Sequence, residues 1–162
     1  MNHLTRFRDL LPVSQLVRLY DYWDAKRGGR RWPRRSDVDP LEMRFAIGNI
    51  DLIEITYGDH PDGIAPAPIV FRFRISGSNI DRDEGFNMQG KTLDEYPLPV
   101  HRENIRRTYL RILAEGNPDF EVLERLDEGQ ITRYARMLLP LSDDGSRVDM
   151  FLAGRYELKS DS

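Results

Sequence analysis

The stretch from Ile69 to Tyr96 constrains the fold more than any other part of the sequence. It begins with apolar side chains at every second position, the period that is typical of a strand with one face in a core. Gly77 ends this strand, and short polar segments that contain Gly85 and Gly90 follow. The residues from Thr92 to Glu95 then carry the pattern of a capped helix start. Helices this short cannot pack alone, so the stretch predicts a mixed domain in which a sheet covers them.

Two longer helices and four further strands are predicted outside this stretch. Apolar residues three and four positions apart predict the helices, whereas alternation between Gly-containing turns predicts the strands. The helices run from Gln15 to about Arg27 and from Val100 to Glu115, and the strands from Ile50 to Tyr57, Phe120 to Asp127, Gln130 to Ser142 and Val148 to Leu158. This order favours an α+β fold: a five-stranded antiparallel sheet, short helices and one longer helix on one face, and an N-terminal helix.

The length of 162 residues is typical of one domain. We expect a loose N-terminal arm over residues 1–12 and a helical cap with a connector over residues 13–48. The core is expected over residues 49–158, and a short tail over residues 159–162.

Composition excludes several classes of protein. The formal net charge is −3, which gives no electrostatic reason to expect nucleic acid or an anionic membrane as a partner. Because the sequence contains no cysteine, it forms no disulfide, no thiolate metal site and no cysteinyl–flavin adduct. No apolar run approaches the roughly 18 residues of a membrane span, and the N-terminus does not have the pattern of a secretory signal. A cytoplasmic protein is the default expectation.

Several short motifs, taken in order, resemble a family of bacterial single-domain PAS-like proteins. The resemblance extends over roughly residues 16 to 155, and its order and spacing are more specific than any one piece. The motifs are Tyr22-Trp23, Arg27-Gly28-Gly29-Arg30, Pro33 to Pro40, Phe71 to Gly77, Gly85 to Gly90, and Leu139-Pro140-Leu141. The resemblance implies a PAS fold and a sensory or regulatory role, with a pocket between the inner face of the sheet and the short helices. It implies no particular ligand.

The residues expected to line such a pocket are mostly aromatic, methionine or leucine side chains, which suit an adaptable pocket and a filled core equally well. Arg133 shares the parity of the apolar residues around it on its strand. If that face points inward, Arg133 needs an anionic partner such as a ligand carboxylate; otherwise it extends to water at the edge of the sheet. The candidates are Phe71, Phe73, Met88, Tyr109, Arg133, Met137 and Leu139.

His101 opens the long helix, roughly where haem-binding PAS-like sensors carry their proximal histidine. A histidine in the first turn of a helix is also commonly exposed to solvent, and the resembled family is not characteristically a haem family. We therefore expect no cofactor and keep haem, with His101 as its ligand, as the alternative.

The N-terminal helix carries an apolar stripe of Leu16, Leu19, Tyr20 and Trp23. The stripe is expected to pack on its own sheet. The alternative is that Leu16, Tyr20 and Trp23 also contact a second subunit, because N-terminal helices of PAS-like domains often do so and aromatic residues are enriched at interfaces. A homodimer is the expected assembly.

Two polar clusters have both a functional and a structural interpretation. Five arginines between Arg27 and Arg35 could bind phosphate or nucleic acid, but acidic residues flank them on both sides and favour a connector held by ion pairs. His60 lies with Asp59 and Asp62 in a Pro- and Gly-rich loop, where a sharp turn explains the cluster better than a metal site.

The sequence contains no catalytic motif, so the expected function is a non-enzymatic sensory or regulatory module that binds a small molecule, a partner signalling protein, or both. No kinase, cyclase or DNA-binding segment is attached, so we expect the output to pass to another protein. One alternative is an interaction adaptor with a filled core. The other is a small α+β enzyme of the cone type, which an open cavity holding Asp94 or His101 would favour.

Overall fold

The computed structural model describes residues 3–58 and 68–159, with side chains described from residue 6 onward. The predicted turn around His60 lies outside the described residues. The α-helices are α1 (His3–Asp9), α2 (Ser14–Arg27), α3 (Ser78–Glu84) and α4 (Pro99–Glu115). Three 3-10 segments cover Arg35–Asp37, Pro40–Ala46 and Leu93–Glu95. The strands are β1 (Ile50–Tyr57), β2 (Ile69–Ile75), β3 (Asp119–Asp127), β4 (Gln130–Leu141) and β5 (Met150–Leu158).

The five strands form one antiparallel sheet in the order β2-β1-β5-β4-β3. The long connection from β2 to β3 carries α3 and α4. The first and last strands in sequence, β1 and β5, are neighbours in the middle of the sheet. The predicted five-stranded α+β architecture is confirmed.

The sheet is buried on both of its faces. The pairing of β4 with β5 shows which residues point to which face. Gly154 pairs with Met137, and a Cβ built on Gly154 would lie 2.7 Å from a methyl of Leu19 in α2. The next residue, Arg155, pairs with Arg136 on the opposite face, which α3 and α4 cover. We call these two sides the α2 face and the α4 face.

The first helix corrects one expectation. The sequence predicts a loose arm over residues 1–12, but α1 occupies most of that segment, and both Phe7 in the helix and Leu11 just after it are buried. The ring of Phe7 lies 5.5 Å from that of Tyr20 and 5.7 Å from that of Phe120. An apolar side chain on each side of Arg8 and Asp9 is enough to dock this short helix on α2 and β3.

The capping patterns read from the sequence are present in the structure. The side chain of Asp39 accepts a hydrogen bond from the N–H of Leu41 at 2.9 Å, with Pro40 in the first helical position. Thr92 and Glu95 form a capping box at the last 3-10 segment. Within the described residues, no helix has the length and apolarity needed to cross a membrane.

Candidate functional site

A cavity of about 370 Å³ lies between the α4 face of the sheet and the helices α3 and α4. Its size is near the lower end of the range of small-molecule sites, roughly 300–1,000 Å³. Three residues predicted to line a pocket, Phe73, Met88 and Tyr109, do line it. The pocket is therefore open, although most of its apolar wall is also part of the core.

Two arginines from adjacent strands form the charged part of the wall. Arg136 in β4 and Arg155 in β5 are direct cross-strand partners, and both line the cavity. Arg155 forms an ion pair with Glu84 at 2.6 Å, and its guanidinium carbon lies 4.2 Å from the centre of the Tyr134 ring. Arg136 forms an ion pair with Glu121. Like charges placed directly opposite repel each other, so each arginine depends on its own carboxylate.

A third arginine joins the wall from the edge strand. Arg125 in β3 donates hydrogen bonds to the backbone oxygens of Asp83 and Glu84, the last residues of α3. A cation at the C-terminal end of a helix is favoured by the exposed carbonyl groups there. Arg125 therefore attaches α3 to the edge of the sheet while its charge faces the cavity.

The acidic groups of the cavity are partly neutralised by burial. The pKa of Asp51 is raised to about 7, and burial is the largest cause. The hydrogen bond from the N–H of Gly77 lowers this pKa, the carboxylates of Glu84 and Asp81 raise it, and the charge of Arg155 lowers it. Burial also raises the pKa of Glu84, against the lowering effects of Arg155 and of the Tyr96 hydroxyl that donates to it. Asp51 therefore takes up a proton close to neutral pH.

A polar network fixes α3 beside this site. The backbone N–H of Arg155 donates to the carbonyl of Asn49, and the Asn49 side chain donates to the carbonyl of Arg155, both at 2.9 Å. Asn79 in α3 donates to the Asn49 side chain at 2.8 Å. Gly77 approaches so closely that an added Cβ would lie 2.5 Å from the carbonyl oxygen of Gly48. These contacts require Gly at position 77 and hold α3 to the ends of β1 and β5.

Four of the predicted pocket residues do not line the cavity. Met137 and Leu139 lie fully buried on the α2 face, since they pair with Gly154 and Leu152. Phe71 lies behind the wall, with its ring 5.1 Å from that of Tyr109.

Arg133 is the largest correction among them. Its side chain is 57% exposed and 3.8 Å from the carboxylate of Glu124, so it has no need of a buried anion. Its side chain points to the same side of β4 as those of the α2 face. Near Gln130, however, the side chains on this side, Ile131 and Arg133, are exposed.

Sequence reasoning missed Arg136, Arg155 and Asp51. The run from Tyr134 to Leu141 is apolar on both parities except for Arg136, and this single interruption was the available signal. A charged residue inside a strand that is otherwise buried on both faces needs a partner or a cavity.

His101 lies exposed at the rim of the cavity, in the first turns of α4. The cavity thus holds His101, as the enzyme alternative required, but Asp94 lies outside its lining and pairs with Arg106. Whether His101 could hold haem stays an untested alternative. The groups nearest the sheet, three arginines and two buried acids, provide a charged wall where a haem would need a largely apolar slot.

The predicted dimer residues are buried within their own chain. Leu16, Tyr20 and Trp23 are between 0 and 3% exposed, and the indole N–H of Trp23 donates to the carbonyl of Pro140 at 2.8 Å. The three side chains therefore pack within their own chain, as the sequence favoured, and an additional contact of the same side chains with a second subunit stays a prediction.

The arginines between Arg27 and Arg35 are tied to the chain. The ion pairs are Arg27 with Asp24, Arg30 with Asp37, and Arg35 with Glu54, each at 2.6 Å. The guanidinium of Arg31 donates to the carbonyl of Glu115 at the end of α4. The stretch therefore acts as a connector between α2, β1 and α4, as the flanking acids indicated.

Fold and site together define a small α+β domain in which one antiparallel sheet encloses a cavity beneath a short and a long helix. A family model described as a PAS domain matches residues 12–154, and the chain belongs to this family. PAS domains are typically sensory or regulatory modules.

A solved structure has a similar fold. The PAS domain from Bordetella pertussis BvgS matches with a TM-score of 0.52 and 19% sequence identity, over 76% of this chain and 90% of that chain. At this identity the likeness shows the fold alone. A comparison with curated proteins finds no significant match.

Proposed function

We propose that the chain is a non-enzymatic regulatory module that binds a small molecule in the cavity and passes its state to a partner signalling protein. The observation that carries this proposal is the open cavity with charged groups along one wall and apolar groups along the other. Sites for small molecules combine a mostly apolar lining with a few polar groups that orient the ligand. The cytoplasmic setting expected from the sequence remains a prediction.

The sheet offers a short route from the cavity to α2. Arg155 faces the cavity, whereas its neighbour Gly154 supports Leu16 and Leu19 of α2. A change in the position of β5 that follows ligand binding would therefore alter the support of α2 one residue away. As a hypothesis, the ligand shifts the equilibrium between two arrangements of α2 against the sheet.

Native mass spectrometry of the protein, as purified and after incubation with a metabolite extract, tests ligand binding and counts subunits in one measurement. We expect a bound small molecule in the wild type and in Leu110→Phe, because Leu110 is an exposed residue of α4 outside the cavity. Thr108→Phe places a ring in the cavity from the same helix and should abolish binding. A bare wild-type protein under both conditions would favour the adaptor alternative.

A homodimer also stays a proposal, and the same spectra test it. Leu16, Tyr20 and Trp23 remain its proposed contacts, although their low exposure in the chain means that neighbouring residues would supply most of the buried area. A single subunit at micromolar concentration would count against it.

The cone-type enzyme is the second candidate, because the cavity holds an imidazole and a buried carboxyl, two residue types that serve as general acids and bases in enzymes. His101 lies at its rim, and Asp51 has a pKa of about 7 at the sheet. Loss of a compound from a metabolite extract over time, abolished in Asp51→Asn and His101→Ala, would support catalysis. Equal loss with both variants and wild type would exclude these residues as its source.

A further inference from the structure

The cavity carries more positive than negative charge on its inner wall. Arg125, Arg136 and Arg155 face it, against the carboxylates of Glu84 and Glu121. The carboxyl of Asp51, which has a pKa of about 7, is about half ionised at neutral pH and adds little negative charge only below that pH, because burial favours its protonated form. At the exposed rim, Arg107 and Glu124 add one charge of each sign.

The guanidinium groups of Arg136 and Arg155 are incompletely used. Arg155 is 9% exposed, and its pair with Glu84 uses one terminal nitrogen; Arg136 likewise uses one terminal nitrogen for Glu121. Within the described residues, nothing accepts a hydrogen bond from Nε of either arginine, and both atoms are buried. A buried donor without an acceptor is unfavourable, because it has lost its hydrogen bond to water and gained none in return. A guanidinium can take a carboxylate by two parallel hydrogen bonds, so a small turn of either side chain would satisfy Nε with a ligand oxygen.

The opposite wall is apolar. Ile80 of α3, Met88 of the following loop and Ile105 of α4 face the cavity, and each is at most 7% exposed. A ligand that satisfies the arginines therefore places an apolar part of its body against these three side chains. A dicarboxylate or a sugar phosphate would place further charged or polar groups on this side, where Asn104 and Thr108 of α4 offer only uncharged partners and Arg107 lies at the exposed rim.

From these observations we propose that the cavity binds a small monocarboxylate with an apolar body, an aromatic or short-chain aliphatic acid. Its carboxylate lies between Arg136 and Arg155, and its body lies against Met88 and Ile105. This inference rests on the proposed function, because it names the class of ligand for the same cavity. It also transfers the ligand carboxylate considered for Arg133 to the two arginines that face the cavity.

Matched acids and amides test the carboxylate preference. The probes are phenylacetate and hexanoate, each compared with its primary amide, at millimolar concentration and pH 6.5. We expect each acid to raise Tm by at least about 2 °C and its amide to raise Tm much less, since the amide has the same body without the charge. Isothermal titration calorimetry then gives Kd for the better acid.

Two arginine variants on one strand provide the matched control. Arg136→Gln should weaken binding of the acid at least tenfold, and Arg136→Lys, which keeps the charge but not the fork, should weaken it less. Arg133→Gln removes an exposed arginine three residues away and should leave Kd unchanged. Circular dichroism of each variant verifies that it is folded, and the acid-against-amide comparison on the wild type needs no variant.

The outcomes separate the inference from the proposed function. Equal stabilisation by acid and amide would show that the cavity binds small molecules and would overturn the carboxylate preference alone. No stabilisation by any probe would overturn this ligand class, while a small molecule seen by native mass spectrometry would leave the proposed function standing. Equal weakening by Arg133→Gln and Arg136→Gln would indicate a non-specific charge effect and would also overturn the inference.

Discussion

The two faces of the sheet differ in how closely they are packed. The α2 face is dry and close-packed: Leu16, Leu19 and Trp23 seal it against Gly154 and Met137 with almost no exposed area. The α4 face instead encloses a cavity of about 370 Å³ with buried arginines and acids. Both faces belong to the same strands, so the difference arises because successive residues of each strand point their side chains to opposite faces. The comparison teaches that the close-packed side of this domain and its cavity lie on opposite sides of a layer one strand thick.

Truncation of a large side chain on each face should give the largest difference in the free energy of unfolding between the two faces. Trp23→Ala on the α2 face should lower the free energy of unfolding by about 3–5 kcal/mol, because it removes a fully buried ring and leaves the carbonyl of Pro140 without its donor. Met88→Ala on the α4 face should lower it by about 1–2 kcal/mol, since one side of Met88 already faces the cavity. Urea unfolding followed by circular dichroism measures both. Equal losses would mean that the cavity wall is as tightly packed as the α2 face.

Larger side chains at two adjacent residues of β5 sharpen the comparison, because they add atoms to each face where the truncations removed them. Gly154→Val should be unfavourable by about 1–3 kcal/mol, because the added atoms meet Leu16 and Leu19 at less than contact distance. Ala153→Val points into the cavity and should change stability by less than about 1 kcal/mol. The same unfolding measurement checks the pair. A larger loss for Ala153→Val would show that the cavity has no room beside β5.

A single carboxyl gives the α4 face a dependence on pH. The pKa of Asp51 is raised to about 7 in the folded protein, so between about pH 4 and pH 7 the folded state binds more protons than the unfolded state. The contribution of this group to stability is therefore present at low pH and is lost as the pH rises through 7. The groups that face Asp51 are Glu84 and Asp81 of α3, Arg155 of β5 and the N–H of Gly77.

Asp51→Asn isolates this effect. The amide can still accept from Gly77 but cannot ionise, so the stability of the variant relative to wild type should rise by about 1–2 kcal/mol between pH 5 and pH 8. Urea unfolding at pH 5, 6, 7 and 8 gives the two curves. If the relative stability of the variant fell between pH 5 and pH 8, the ionised carboxylate would be favoured by Arg155, and the sign of the argument would be reversed.

The same contrast explains how far the sequence could be read. Strand alternation, capping residues and Gly-containing turns act locally, and they gave the boundaries of β1 and α4 to within a residue. The cavity wall depends on which parity of β4 faces which helix, and near Met137 both parities are apolar, so alternation carried no information there. A pattern with one buried face singles out Arg133, which shares the parity of Met137 and Leu139, and gives no reason to consider Arg136 on the other parity. The docking of α1 through Phe7 depends on contacts with Tyr20 and Phe120, distant in sequence, and could not be read locally.

The smallest expected effect comes from Arg133, for which the sequence allowed either a buried anionic partner or an exposed place at the edge of the sheet. Arg133→Gln should change the free energy of unfolding by less than about 0.5 kcal/mol, because its pair with Glu124 is exposed on both sides and 3.8 Å long. Arg136→Gln, on the same strand, leaves Glu121 without its buried cation and should be unfavourable by about 1–3 kcal/mol. Unfolding in 0.05 and 0.5 M salt separates the two further, since salt weakens an exposed pair more than a buried one. A loss of stability for Arg133→Gln as large as that for Arg136→Gln would mean that the edge of the α2 face is also covered in solution. The contrast between the α2 face and the α4 face would then no longer hold at this end of β4.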